Sequence, residues 1–405
     1  MDYDQLLDLG AELGRSLMDS GAEIYRVEES VRRLLTAYGT DPQVFAIPSC
    51  LIVSVKDPEG RALTRMCRIQ SHGTDIELLE RCNDLCRRLC RTPLPVDQAR
   101  QALDEATRDV PQYSTKVLLL GFAITTAFFT LFFGGGWLDW LAAGLCGLAV
   151  GLCMLCGQRF TGTNLFFRTV ISAAVLSGVA LVLMRLGIGR NLESITIGTL
   201  MVLVPGMALT NAMREIMASD LISGLTRTAE AILVATAIAL GTAVSLLGGG
   251  AVGQSGGSTQ SYFLPSLWAA LACIGFALQF NVRGWRGLLL CGVGAGLSWL
   301  AYLAALLWGW NDVAAAFFAA LCVGVFSEIM ARVRRCPVTG YLQVALLPLV
   351  PGAGIYHTMG YCVQGSSQLF LYTLLHTLGF AAALSVGAML ATSVLRGLLP
   401  KLHRG

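Results

Sequence analysis

The chain has 405 residues, 55% of them hydrophobic and only 14% charged, with a mean hydropathy of +0.63. A soluble domain is typically about 25% charged, so a wholly soluble protein is excluded. The formal net charge of +3 is too small to point to a polyanionic partner, and no nucleic acid is expected.

The charges are unevenly placed. Residues 1–112 are rich in Arg, Asp and Glu, whereas 113–405 are mostly Leu, Ala, Gly, Val and Phe. This predicts a small N-terminal α+β head followed by a mainly α, polytopic membrane domain. The acidic start, Met1-Asp2-Tyr3-Asp4, does not read as a signal peptide, which keeps the head cytoplasmic.

In the head, Leu6, Leu9, Leu13 and Leu17 recur at helical steps over 4–19, and Ser20-Gly21 interrupts them. A second helix is predicted from Ala22 to Tyr38, closed by Gly39. Two β-like runs follow, 43–56 and 61–70, joined by Asp57-Pro58-Glu59-Gly60 as a hairpin turn. Thr74 with Glu77 reads as the capping box of a helix over 74–90, and a further helix spans 96–108. Cys82, Cys86 and Cys90 share one face of the third helix. They lack the Cys-x-x-Cys spacing of a metal site and have no histidine nearby except the isolated His72, so a buried apolar face is expected, with no metal and no cofactor. Glu23, Arg26 and Glu28 form the head's charged motif. It reads either as an acid–base cluster or as helix-surface ion pairs, Glu23 with Arg26 and Glu28 or Glu29 with Arg32 or Arg33.

Beyond the head, apolar segments fall at 114–133, 137–157, 165–186, 193–210, 229–248, 262–280, 286–308, 311–330, 340–359 and 368–395. Each is near the ~20 residues that cross a bilayer, so ten transmembrane helices are predicted. With the head inside, the inner connections carry most of the arginines, among them Arg214, Arg227, Arg283, Arg332 and Arg334. The outer ones carry Arg185 and Arg190. The domains expected are the head (1–112), a first five-helix repeat (113–248), an outer Gly/Ser linker (249–261) and a second five-helix repeat (262–405). Both termini then lie in the cytoplasm at the inner membrane.

Leu203-Val204-Pro205-Gly206 and Leu349-Val350-Pro351-Gly352 are 146 residues apart, each in the fourth apolar segment of its half. Proline removes a backbone donor and glycine loosens the chain, so each segment should break there. Five helices per half is odd, which makes the two repeats inverted. Paired broken helices at matching places mark the substrate site of secondary transporters. The candidate substrate-binding residues are Pro205, Gly206, Thr210, Asn211, Gln343, Pro351, Gly352 and His357. Candidates for proton coupling or gating are Glu328, His376, Arg214, Glu215 and Asp220. Glu328 also reads as an ion pair with Arg332, and Arg214, Glu215 and Asp220 as a solvated loop. No G-x-x-x-x-G-K-[ST] motif is present, which disfavours a primary pump.

The head segment SGAEIYRVEESVRRLLTAYG (20–39), the segment GFALQFNVRGW (275–285) and the paired LVPG helices resemble the threonine/serine exporter family, over about residues 5–395. The resemblance implies a cytoplasmic head with faint hydrolase likeness, ten membrane helices and export of threonine or serine. The chain looks like the fused form of relatives that occur split into two proteins and are linked to succinate export. It departs from the pattern at Asn281-Val282-Arg283, which lacks the expected proline.

The function expected is therefore secondary export of a small polar amino acid, driven by the proton gradient, by a protein that is not an enzyme. The alternatives are dicarboxylate (succinate) export and a membrane-anchored hydrolase using the head. The expected partners are the small-molecule substrate, membrane lipid and, as an open alternative, a second copy of the chain.

Overall fold

A computed structural model describes residues 2–69, 73–161, 164–247, 263–334 and 336–398. His72 and the whole predicted linker 249–261 lie outside the described residues, as do Arg335, Lys401 and Arg404.

The head begins with α1 (Tyr3–Asp19), whose N-cap Asp2 accepts from the Asp4 amide at 3.0 Å. Its leucines at positions 6, 9, 13 and 17 are buried against α2 (Ile24–Ala37). Between the two helices Gly21 has φ +86°, and a Cβ there would come within 2.7 Å of the Gly73 carbonyl oxygen, so both geometry and space require glycine. The predicted run 43–56 is not one strand. It folds back at Pro48-Ser49 into β1 (Gln43–Ile47) and β2 (Cys50–Lys56), since proline has no N–H for a central ladder. The expected turn at 57–60 then joins β2 to β3 (Ala62–Arg68), with the Asp57 carboxylate accepting from the Glu59 and Arg61 amides. The sheet is antiparallel, in order β1-β2-β3.

α3 (Ile76–Arg91) is capped by Asp75, not by Thr74. The expected capping box fails because Glu77 pairs with Arg81 at 2.9 Å, while Asp75 accepts from the Leu78 amide at 3.0 Å. Cys82 and Cys86 are buried on this helix as expected, whereas Cys90 is only half-buried, and α4 (Val96–Arg108) completes the head.

The membrane part comprises α5 (Thr115–Phe132), α6 (Trp137–Thr161), α7 (Leu165–Arg185), α8 (Leu192–Leu200), α9 (Gly206–Met217) and α10 (Leu221–Leu247). After the linker come α11 (Leu264–Gln279), α12 (Trp285–Leu307), α13 (Asp312–Arg334), α14 (Val338–Leu346), α15 (Gly352–Val363) and α16 (Ser367–Leu398). Among the described residues, seven of these helices are long and apolar enough to cross a membrane, and the bent pair α14–α15 makes up to eight. The chain is thus a polytopic membrane protein. Many large apolar side chains on these helices are exposed, among them Leu120, Ile171, Leu240 and Leu375, as expected of a lipid-facing surface.

Packing repeats between the halves. α6 packs on α5 and α7, and α7 and α9 on α10; α12 packs on α11 and α13, and α13 and α15 on α16. The halves meet along α5 and α11, where Gly121 and Gly275 face each other. A Cβ on Gly121 would lie 3.1 Å from the Gly275 carbonyl oxygen, and one on Gly275 2.6 Å from that of Gly121. Gln279 donates to Thr125 Oγ1 at 3.0 Å, so a polar pair also binds α11 to α5.

The head is not a separate ball on a tether. Its apolar core continues into Ala277, Val282 and Tyr341. The contact centres on the turn after α11, where Asn281 takes φ +55°, a conformation asparagine tolerates better than most residues. Its amide donates to Asp75 Oδ1 at 3.0 Å and to the Pro111 carbonyl at 3.1 Å, while the Ile76 amide donates to the Phe280 carbonyl at 2.9 Å. Asn281→Gly keeps the turn and removes the two side-chain bonds. It is expected to destabilise the docked head by about 1–3 kcal/mol, read as faster hydrogen exchange in the first turn of α3.

Candidate functional site

Both Pro-Gly pairs break their helices. α8 and α14 each have nine residues, and α9 and α15 each have twelve. Every boundary of the second pair lies 146 residues after its counterpart. Pro205 (φ −79°, ψ 37°) and Pro351 (φ −75°, ψ 51°) cap the following helices with nearly the same backbone geometry. The segment ending at Leu349 and α15 bend by 49°.

The two breaks touch. A Cβ on Gly206 would collide with Val350 Cγ1, and one on Gly352 would lie 2.8 Å from Met201 Sδ and 3.4 Å from Val204 Cγ1. Each glycine therefore lets the other half's break approach. The crossing is tightly closed, since the cavity beside it, lined by Val204, Ile238, Ile355 and Tyr356, holds only about 20 Å³.

The predicted substrate residues divide between two places. Pro205, Gly206, Pro351 and Gly352 form the crossing. Thr210 bonds back to the Gly206 carbonyl at 3.1 Å, and its own carbonyl accepts from Ser385 of α16 at 2.8 Å. Gln343 is buried on α14, and His357 is half-buried beside Tyr356. Asn211 instead faces the head, lining a small cavity with Glu23, Tyr25, Arg214, Glu215 and Arg227.

α9 runs from the crossing to that cavity, and its far end is not a solvated loop. Arg214 and Glu215 are both buried on the helix. Glu215 accepts from Arg227 Nε of α10 at 2.8 and 3.0 Å. Arg214 Nη1 donates to Glu23 Oε1 of the head, and Arg26 Nε lies 3.1 Å from Glu23 Oε2. Arg26 also donates to Thr339, just after the start of α14, at 2.9 Å. The head's charged motif thus ties α2 to both broken segments. Asp220 takes another role, accepting from the Ser223 amide at 3.2 Å near the start of α10.

The expected Glu23–Arg26 and Glu29–Arg33 pairs are present. Of the two alternatives, Glu28 or Glu29, it is Glu29 that makes the pair. Glu28 Oε1 accepts from the Ala46 amide at 2.8 Å, because β1 passes over that face of α2. Glu328 pairs with Arg332 at 3.6 Å and lies within electrostatic reach of Arg26. His376 faces Asp312 of α13 at 3.8 Å, packed with Tyr372 and Phe380.

Around the Glu23–Arg214 pair lies a cavity of about 200 Å³, lined also by Tyr25, Arg26, Leu342, Thr339, Thr392 and Ser393. Sequence reasoning missed Thr339, Thr392 and Ser393, which carry no motif. Among the described residues no group of His, Cys, Asp and Glu side chains converges to hold a metal ion.

Burial alone would raise the Glu23 carboxyl, but the Arg214 and Arg26 guanidiniums outweigh it and pull it from its usual 4.5 to about 2. A depressed folded-state value stabilises the fold above pH 4.5 and is lost as pH falls towards 2. The corresponding contribution is about 3 kcal/mol. Thermal midpoints measured between pH 6 and 2 should therefore fall less steeply for Glu23→Gln than for the wild type. Parallel curves would show that the pair does not carry this acid sensitivity.

Comparison with known proteins fits this architecture. A family model described as "Putative threonine/serine exporter" matches residues 8–247, and one described as "Threonine/Serine exporter, ThrE" matches 265–394. A Mycobacterium tuberculosis protein named "Probable threonine/serine exporter" is 25% identical over 405 residues, covering 95% of this chain and 75% of its own length. The "Threonine/serine exporter" of Corynebacterium glutamicum is 23% identical over 424 residues, covering 98% and 83%. A Saccharomyces cerevisiae protein, "Pheromone-regulated membrane protein 10", is 26% identical over 244 residues; the match covers 56% of this chain and only 30% of the yeast protein. No solved structure matches. With one family match running over more than half the chain and the second over most of the rest, the chain belongs to the threonine/serine exporter family.

Proposed function

We propose that the protein is a secondary exporter of threonine or serine, driven by the proton gradient. The observation that carries the reading is the contact between the two Pro-Gly breaks, Gly206 on Val350 and Gly352 on Met201. Non-helical backbone at membrane depth is tolerated where it lines a protein-enclosed path, and crossed broken helices are how secondary transporters build one. In this reading the start of α9 or α15 presents amide N–H groups to the cargo carboxylate, and the breaks' carbonyls take its ammonium.

The same reading makes the halves inverted repeats with ten crossings. The short apolar helix α11 and the pair α8–α9 each count as a span, beside the seven long helices and the α14–α15 pair. Both termini then lie in the cytoplasm at the inner membrane. The head supports that orientation, since it docks on the end of the bundle that bears Arg214, Arg283 and Arg334. Glu328 and His376 are the proton-carrying candidates.

Purified protein in liposomes tests the proposal. Counterflow of labelled threonine or serine is expected, accelerated several-fold by an imposed pH gradient and weakened in His376→Gln. Counterflow of succinate but not threonine would replace the amino acid by a dicarboxylate. Flux indifferent to the gradient would remove proton coupling.

A further inference from the structure

Arg214 is only 6% exposed, yet just one of its nitrogens is served. Nη1 donates to Glu23, while Nε and Nη2 meet no hydrogen-bond partner among the described residues. These two nitrogens form one edge of the guanidinium fork, the edge on which a planar carboxylate seats through two parallel bonds. Buried donors are normally satisfied, so this unpaired edge points to an occupant, which reaches it when the side chain turns toward the cavity, because each of the two nitrogens exposes less than 1 Å².

Space for one is present. Arg214 lines the cavity of about 200 Å³ between the head and the membrane part. That is room for a molecule of amino-acid size. The walls offer the hydroxyls of Tyr25, Thr339, Thr392 and Ser393. They also offer Glu23, whose Oε2 accepts no well-aligned hydrogen bond although Arg26 Nε is 3.1 Å away. A carboxylate accepts at several lone pairs, so Glu23 can hold an ammonium group without leaving Arg214.

We infer that this junction cavity binds a small zwitterion, with its carboxylate on the Nε–Nη2 edge of Arg214 and its ammonium group on Glu23. The inference deepens the exporter reading and rests on it for the choice of cargo, but the binding is measurable without transport. The site differs from the Pro-Gly crossing. It lies further along the same helix, eight residues and about 12 Å along α9 from Gly206. An occupant there loads the head's ion pair and the broken helix together, which makes the head part of the cargo's entry route.

The test is calorimetric titration of the full-length protein in detergent with three probes: L-threonine, the amino alcohol lacking its carboxylate, and N-acetyl-threonine lacking its ammonium. Threonine is expected to bind, with each analogue at least ten-fold weaker. Arg214→Lys keeps the charge and removes the fork, so it should weaken threonine at least ten-fold at an unchanged thermal midpoint. Equal binding of the amino alcohol, undiminished binding by a folded Arg214→Lys protein, or no threonine binding to the wild type would overturn the site. If Arg214→Lys does not fold, the analogues decide on the wild type alone. Counterflow that keeps its wild-type KM in Arg214→Lys removes this site and leaves the exporter reading. Binding with the expected analogue order but no counterflow removes the exporter reading and leaves the site.

Discussion

Gly206→Val is expected to bring threonine counterflow down to background in a protein that still inserts and purifies. The two halves approach through their breaks at this position, and any side chain on residue 206 collides with Val350 Cγ1. Valine cannot relieve the clash by swinging a long end away, because its methyls sit one bond from Cβ. Overpacking of this kind costs about 1–3 kcal/mol, or shifts the backbone. Here the shift falls on the crossing of α8–α9 with α14–α15. The milder pair Gly206→Ala and Gly206→Ala/Val350→Ala separates crowding from other effects. The single variant should lose most of its flux, and the double should recover much of it because the second change opens the space the first one fills. Wild-type flux in Gly206→Val would remove the crossing from the transport path.

Glu23→Ala should destabilise the protein more than Arg214→Met does, although the two residues form one ion pair. Removing either partner of a buried pair strands the other and costs about 3–5 kcal/mol when nothing else compensates. Arg214 has no other hydrogen-bond partner among the described residues, so losing Glu23 leaves its charge buried with none. Glu23 keeps Arg26 at 3.1 Å when Arg214 is lost, so that variant should fall below this range. The double variant Glu23→Gln/Arg214→Met, with no charge left to strand, should lie above Glu23→Ala. Thermal midpoints of the detergent-purified variants give the order, and Arg214→Met below Glu23→Ala would contradict the electrostatic account.

The amino-acid sequence by itself determined the elements whose cause is local. Hydropathy placed the apolar segments because a helix in lipid must satisfy its own backbone within about twenty residues. Proline and glycine placed both breaks, since a missing N–H and a missing Cβ act wherever they occur. Helix periodicity located α1 to α4, and turn chemistry located the hairpin at 57–60. The local reading failed where a distant group competed. Asp75 took the cap of α3 from Thr74 while accepting from Asn281. Asn211, a candidate for the site at the breaks, lines the cavity against the head instead.

Only the tertiary structure decided what the charged residues do. In sequence, Glu23 and Arg214 stand 191 positions apart in segments of unlike composition, and each reads most simply as a surface charge. They meet because the head's apolar face has to be covered, and the turn at Phe280–Val282 and the buried Tyr341 cover it. That docking carries the N-terminus of α2 onto the end of α9. Burial then makes pairing obligatory, because an isolated charge removed from water costs far more than the pair does. Hydropathy and periodicity record which residues leave water, but not which of them leave it together.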